Sequence, residues 1–217
     1  MIVSMPRREV AGGRVARSVS QPIAKGSVVK GSLDFLRQEL GEAGCGEILG
    51  LLPGRHRRLL LGARPTSEVP YDTLVVLWRA IDVRIGSAAP DWAERAGAYA
   101  IAELGLKLYG GILKKRSPEE FLTQSVSLFK LYYHPGNMEV VSHDARSAVL
   151  RLVGFPNASQ FFCRRQTGGL LTAISLAGGL APSVRHVRCA LEGDAFCEWS
   201  LGWKLPRPDP KQPPRGR

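Results

Sequence analysis

The chain has 217 residues and a net charge of +11, with 44% hydrophobic and 23% charged residues, the composition of a globular domain rather than of a fibre or a low-complexity chain. No apolar run approaches the ~20 residues of a membrane span, and the arginine-bearing start MIVSMPRREVAGGRVARS has no apolar stretch behind it, so a soluble, cytoplasmic protein is expected. The positive charge lies mainly in the ends, about +5 over residues 1–31 and about +4 over 204–217, which leaves no basic groove in the body and argues against nucleic acid as a partner.

Both ends are rich in Pro, Gly and Ser, and basic disordered tails are expected over 1–28 and 205–217, around a single domain over 29–204. Ser32 is placed to cap a helix that runs through Phe35, Leu36 and Leu40 to Gly41. A second short helix is expected around Ile48 and Leu49, with Cys45 as a buried packing thiol. Arg55-His56-Arg57-Arg58, after Pro53-Gly54, reads as a solvated turn that enters a strand at Leu59-Leu60-Leu61. Leu74, Val75, Trp78 and Ile81 recur at helical spacing after Pro70 and predict a helix over 71–82.

A long helix is expected over about 91–113, where Gly97 and Gly105 each cost about 1 kcal/mol of propensity but let another helix approach, inside the domain or across a dimer. Ser117-Pro118-Glu119-Glu120 starts the next helix, which passes Phe121, Leu122 and Phe129 and ends at His134-Pro135-Gly136. Residues 138–141 and 148–153 read as two strands joined by a polar turn. Asn157-Ala158-Ser159-Gln160 opens a helix through Cys163, Gly168 and Ile174 to Gly178-Gly179, and a hairpin of 184–191 and 196–205 closes the chain.

Three of the four cysteines, Cys163, Cys189 and Cys197, fall in this last part together with His186. Thiolate and imidazole are ligands zinc prefers, at about 2.0–2.3 Å, and four protein ligands leave no position for a reacting water. Cys163, His186, Cys189 and Cys197 are therefore expected to close one structural zinc site; in a reducing compartment such cysteines hold metal more often than disulfides. His186 and Cys189 would face opposite sides of a regular strand, so joint ligation requires a bulge. Glu192, Asp194 and Glu198 stand near as alternative oxygen donors.

The stretch FFCRRQTGGLLTAISLAGG followed by RHVRCALEGDAFCEW resembles the 4-vinyl reductase-type domain, the ligand-binding module of aromatic-compound sensors. That family binds zinc through three Cys and one Glu, and His186 stands where the Glu is. VVKGSLDFLRQEL through YDTLVVLWRAID is similar to a paralogous family of small myxobacterial proteins, and to the wider superfamily that includes haem nitric-oxide-binding domains and trafficking-complex subunits. The resemblance implies an α+β fold: a twisted antiparallel sheet of about four strands with helices packed around it, a zinc site tying the C-terminal helix to its hairpin, an apolar pocket, and a homodimer formed through helices.

The function this implies is a non-enzymatic small-molecule-binding, sensory module that signals through a protein partner. An apolar small molecule would be lined by Tyr99, Leu108, Phe129, Tyr133 and Phe162, residues whose helical spacing equally suits an ordinary core. The alternative is an adaptor that uses the same fold for protein contacts. Phenol-type sensors of the family use a Trp and a His upstream of the first Cys, and no Trp lies between Trp92 and Trp199. Haem would need His134 or His143 as an axial ligand, and the Tyr-x-Ser-x-Arg signature of the haem domains is absent. No nucleophile elbow, carboxylate pair or nucleotide loop points to an enzyme.

Overall fold

The computed structural model of the protein describes residues 21–105, 117–125, 129–156 and 159–205. Strand β1 (Ile23–Lys25) passes directly into helix α1 (Gly26–Leu51), which begins well before the predicted cap at Ser32. Ser32 lies in the helix interior: its hydroxyl donates to the Val28 carbonyl (3.0 Å) and accepts from Trp78 Nε1 (3.5 Å), so the i−4 carbonyl has taken the side chain that was expected at a helix end. Gly41 does interrupt the helix, with φ 70° and ψ 178°, a conformation that an L side chain resists. Cys45 is buried and free, as a packing thiol should be.

The segment read as a turn and a strand is instead helix α2 (Gly54–Gly62), with Leu60 alone buried. Consecutive Arg and Leu are good helix formers, and the Pro53 carbonyl accepts the Arg57 N–H to close the first turn. Strand β2 (Glu68–Pro70) leads into α3 (Tyr71–Ile85), which buries Tyr71, Leu74, Leu77, Trp78 and Ile81 along one stripe, as the spacing predicted. Helix α4 (Trp92–Tyr99) continues as a π-helical stretch, Ala100–Gly105; the remainder of the expected long helix, Leu108 included, lies outside the described residues.

Helix α5 (Pro118–Ser125) has the predicted cap, the Glu120 N–H donating to Ser117 Oγ at 3.1 Å. It is followed by α6 (Phe129–Tyr132), β3 (Tyr133–His134), β4 (Asn137–His143) and β5 (Ser147–Val153). The Asp144 carboxylate accepts the Arg146 and Ser147 N–H groups at 2.7 and 2.8 Å and closes the β4–β5 turn. Helix α7 (Gln160–Leu176) is capped by Ser159, which accepts from the Phe162 N–H at 3.1 Å. Strand β6 (Leu180–Arg188), a 3-10 turn (Ala190–Glu192) and β7 (Cys197–Lys204) follow.

The architecture is α+β. One antiparallel sheet has four strands in the order β4-β5-β7-β6; a second, β2-β1-β3, was not anticipated, since strands of two or three residues show no alternation to read. Helix α7 lies between β5 and β6 in sequence and crosses α4 at backbone contact. A Cβ on Gly168 would sit 1.9 Å from the Glu94 carbonyl oxygen, and one on Gly97 would sit 1.9 Å from that of Arg165. The smooth face of α4 is thus used inside the domain. Bidentate Arg164–Glu94 contacts (2.7 and 2.5 Å) and the Arg95–Glu39 pair (2.6 Å) flank the crossing. Trp78, Trp92 and Trp199 are completely buried in one continuous core, where each such side chain contributes on the order of 3 kcal/mol from removal of apolar surface. Among the described residues no helix is long and apolar enough to cross a membrane.

Candidate metal centre

Cys163 enters the site from the first turn of α7, with its N–H on the Ser159 carbonyl (3.1 Å). Cys197, the first residue of β7, pairs with Leu152 of β5 and places its Sγ 3.7 Å from Cys163 Sγ. Sulfurs bound tetrahedrally at about 2.3 Å to one zinc ion stand about 3.8 Å apart. Ligand atoms of Cys163, His186, Cys189 and Cys197 all lie within 4.8 Å of one another, so the four predicted side chains converge and can hold one metal ion.

The bulge that joint ligation required is present. Register along β6 and β7 runs His186↔Trp199 and then Arg188↔Glu198, so Val187 is the extra residue, and β6 ends before Cys189. Cys189 belongs to a knuckle: its N–H donates to Asp194 Oδ2 (2.8 Å), and its carbonyl accepts the Glu192 and Asp194 N–H groups (2.9 and 3.2 Å). Gly193 turns the knuckle at φ 98°, where a side chain would be strained. Two of the three alternative oxygen donors are otherwise engaged, and the third, Glu192, is exposed on the 3-10 turn. Asp194 holds the knuckle, while Glu198 faces away and takes both Nε and Nη2 of Arg151 at 2.9 and 2.7 Å.

His186 stacks on the Trp199 indole, with ring centroids 4.7 Å apart and 21° between planes, and its buried Nε2 has no hydrogen-bond partner. Trp199 Nε1 donates to Thr167 Oγ1 (3.0 Å), and Thr167 donates to the Cys163 carbonyl (3.1 Å). One chain of contacts thus runs from His186 through β7 to the helix turn that carries Cys163. Such support beyond the ligands orients them. Sequence reasoning did not single out Trp199 or Thr167 in this role, and no local pattern marks them.

Charge in the cluster is unequally shared. The Cys163 thiol, the His186 ring and the Ala190 N–H surround Cys197 and lower its pKa to about 4, against burial, which acts the other way. Cys163 is pushed up by Cys197 and by burial, and Cys189 is pushed up by burial. Hydrogen bonds alone therefore accommodate one thiolate; deprotonating the other two needs a cation. Three sulfurs, an orphaned imidazole nitrogen and that charge demand form a donor set for a borderline-soft, tetrahedral ion.

The expected pocket residues are placed as follows. Phe129, Tyr133 and Phe162 meet in one aromatic cluster with Tyr71 and Phe155: Phe129 and Tyr133 stack at 5.4 Å, and Tyr133 and Phe162 meet edge to face at 5.2 Å. Tyr71 lies 5.0 Å from Phe155 and 6.1 Å from Phe162. Tyr99 packs instead on Phe35, at 5.9 Å. Tyr71 and Phe155 are members that the sequence reading did not name: Tyr71 opens the buried stripe of α3, and Phe155 follows the end of β5.

Helices followed by a four-stranded antiparallel sheet, with one helix inserted between its second and third strands, form the H-NOX fold. The Fe(II) unliganded H-NOX protein from K. algicida superposes with a TM-score of 0.65 at 12% identity, over 84% of this chain and 98% of that one. For the H-NOX protein from S. oneidensis in its Fe(II)NO ligation state the values are 0.63, 16%, 83% and 99%; for a T. tengcongensis H-NOX variant they are 0.61, 16%, 84% and 99%. The sequence matches no family model, and no curated protein matches it. What is shared at this identity is the fold.

Proposed function

We propose that the protein is a non-enzymatic small-molecule-binding, sensory module in which a structural zinc ion, held by Cys163, His186, Cys189 and Cys197, fixes one wall of an apolar binding region. The observation that carries this reading is a single helix turn. Phe162 points into the aromatic cluster and the adjacent Cys163 into the metal cluster, so anything that displaces α7 on one side is felt on the other. Four protein ligands close the zinc coordination, which leaves the metal no open position for chemistry. The resemblance to 4-vinyl reductase-type sensors and to the myxobacterial paralogues supports the same reading, with the binding region at Phe129, Tyr133 and Phe162 and, in the expected set, Tyr99 and Leu108. Signalling then passes to a protein partner.

H-NOX neighbours are iron and haem proteins, but the residues here do not fit haem. His56 is bonded through Nδ1 to Thr73 (3.0 Å), His143 is exposed and bonded to Glu119 (3.0 Å), His134 is exposed opposite the buried Tyr133, and His186 belongs to the metal cluster. None of the four histidines is aimed at the aromatic interior, so no axial imidazole is on offer. Purified protein incubated with haemin is expected to show no stoichiometric Soret band of imidazole-ligated haem. The binding module itself is tested by native mass spectrometry after mild purification: about one zinc per chain together with a retained apolar molecule supports it, and a metal-free, ligandless, fully folded chain sinks it.

An adaptor role has one observation in its favour. Strand β6 is a sheet edge, with Leu180 and Val187 about half exposed, and an added strand from a partner would pair there. Recovery of a protein partner with an empty interior would favour this second reading.

A further inference from the structure

Only two charged side chains are buried in the core among the described residues, Arg165 and Glu198. Glu198 is matched by the bidentate Arg151. Arg165 is matched by nothing. It projects from α7 towards α3 and is 7% exposed, with its guanidinium carbon 5.1 Å above the Trp78 ring. Its Nη1 is buried without a hydrogen-bond partner, and no carboxylate among the described residues pairs with it. Arginine stays charged in proteins. A buried charge left without an opposite one costs more than a cation–π contact returns. The arrangement is therefore incomplete as it stands, and what would complete it is an anion.

The surroundings specify the kind of anion. Tyr133, 8% exposed, packs edge to face on Phe162, three residues before Arg165 and on the same side of α7, and its hydroxyl makes no hydrogen bond among the described residues. Every other contact there is aromatic: Phe129, Phe155 and Phe162 pack around Tyr133 at 5.2–5.7 Å. Tyr71, also of this cluster, lines a cleft of about 530 Å³ between α3 and the start of α7, with Asp72, Val75, Arg79, Ser159 and Phe161 on its walls. A small hydrated inorganic ion would lose its water to an apolar wall. A carboxylate on a hydrophobic body would pair with Arg165 at one end and bury the rest.

We propose that Arg165 anchors the acid group of the sensed molecule, and that the ligand class is an apolar monocarboxylate, aromatic or aliphatic, held by the Arg165 guanidinium and the Tyr133 hydroxyl with its body against Phe129, Phe155 and Phe162. This rests on the small-molecule-binding reading above and names its ligand class. The sequence reading took the interior as purely apolar; Arg165, in the middle of FFCRRQ, looks like its solvent-facing neighbour Arg164 until the helix is placed.

The test is calorimetric titration of the zinc-loaded full chain with benzoate, cinnamate and octanoate, each beside its neutral alcohol, and with sodium chloride. At least one acid is expected to bind roughly 10- to 100-fold more tightly than its alcohol, the margin of a charge-assisted pair. Arg165→Met should abolish that margin while retaining one zinc per chain, and Arg165→Lys should keep part of it. Alcohols that bind as well as acids, or a margin that survives in Arg165→Met, overturn the anion assignment and leave a binding module standing. Chloride stabilising the fold as much as the acids do overturns it as well. If neither acids nor alcohols bind, both readings fail. Should Arg165→Met not fold, the acid-to-alcohol ratio of the native chain decides alone.

Discussion

Each metal-cluster side chain has a separable contribution. Cys189 is held by the knuckle rather than by a strand, so Cys189→Ser leaves the backbone free to form and removes a ligand. Structural zinc supplies folding free energy; a loss of about 3 kcal/mol corresponds to a melting point roughly 10 °C lower for a chain of this size. Thermal unfolding with metal analysis checks both, and an unchanged melting point at full zinc content would sink the structural role. At position 186 the chemistry admits two donors. His186→Glu is expected to keep zinc, because a carboxylate ligates tetrahedral zinc, and to lose the stack on Trp199, whereas His186→Ala loses the metal. Acid acts through Cys197. Its pKa of about 4 lies below the ordinary 9.0, so the stability carried by its charge is complete above pH 9.0 and is lost as pH falls through about 4. This holds for the metal-free chain, whose melting point, followed with a chelator present, is expected to fall as pH drops through about 4; a melting point that does not change there counts against a charged Cys197. The identities of these four residues were legible in the chain because thiols and imidazole are rare and chemically distinctive. Arg165 was not, since an arginine's partner is settled by what stands opposite it.

Between elements, backbone approach decides more than side-chain volume. Gly97 and Gly168 each face the backbone of the other helix across the α4–α7 crossing, at Arg165 and Glu94, at distances that no Cβ tolerates. Gly168→Ala is expected to destabilise by about 2–3 kcal/mol through forced separation of the helices, although alanine is the better helix former. Gly46 is a control: it is helical and exposed, and a Cβ there meets nothing within 4 Å, so Gly46→Ala should stabilise by up to about 1 kcal/mol. Chemical denaturation of the two variants separates these outcomes, and equal effects would refute the contact argument. Caps and stripes were readable, as at Ser117, Ser159 and along α3, because they rest on interactions within four residues. Ser32 was misread because α1 already begins at Gly26, so the hydroxyl turns back onto the Val28 carbonyl inside the helix. The RHRR run failed differently, since charge and loop composition outweighed helix propensity in the reading.

At the level of the entire domain, the Cys/His cluster joins α7 to a hairpin that also carries the central strand β7. Chelation of the metal is expected to speed amide hydrogen exchange across 160–176 and 180–204 before it affects 71–85, where Trp78 and its neighbours are held by core packing and by the Trp78–Ser32 hydrogen bond. Uniform exchange across all three stretches would mean that the zinc stabilises the fold as a unit. Local chemistry sufficed to read the α+β class, the helices and strands with clear periodicity, and the four side chains of the Cys/His cluster, because each rests on short-range spacing or on rare side chains. Three-dimensional packing alone decided that the bulge at Val187 turns His186 towards the cysteines, that the short strands pair into a second sheet, and that Arg165 points inwards without a partner. Those outcomes depend on which surfaces meet, and residues far apart along the chain determine that together.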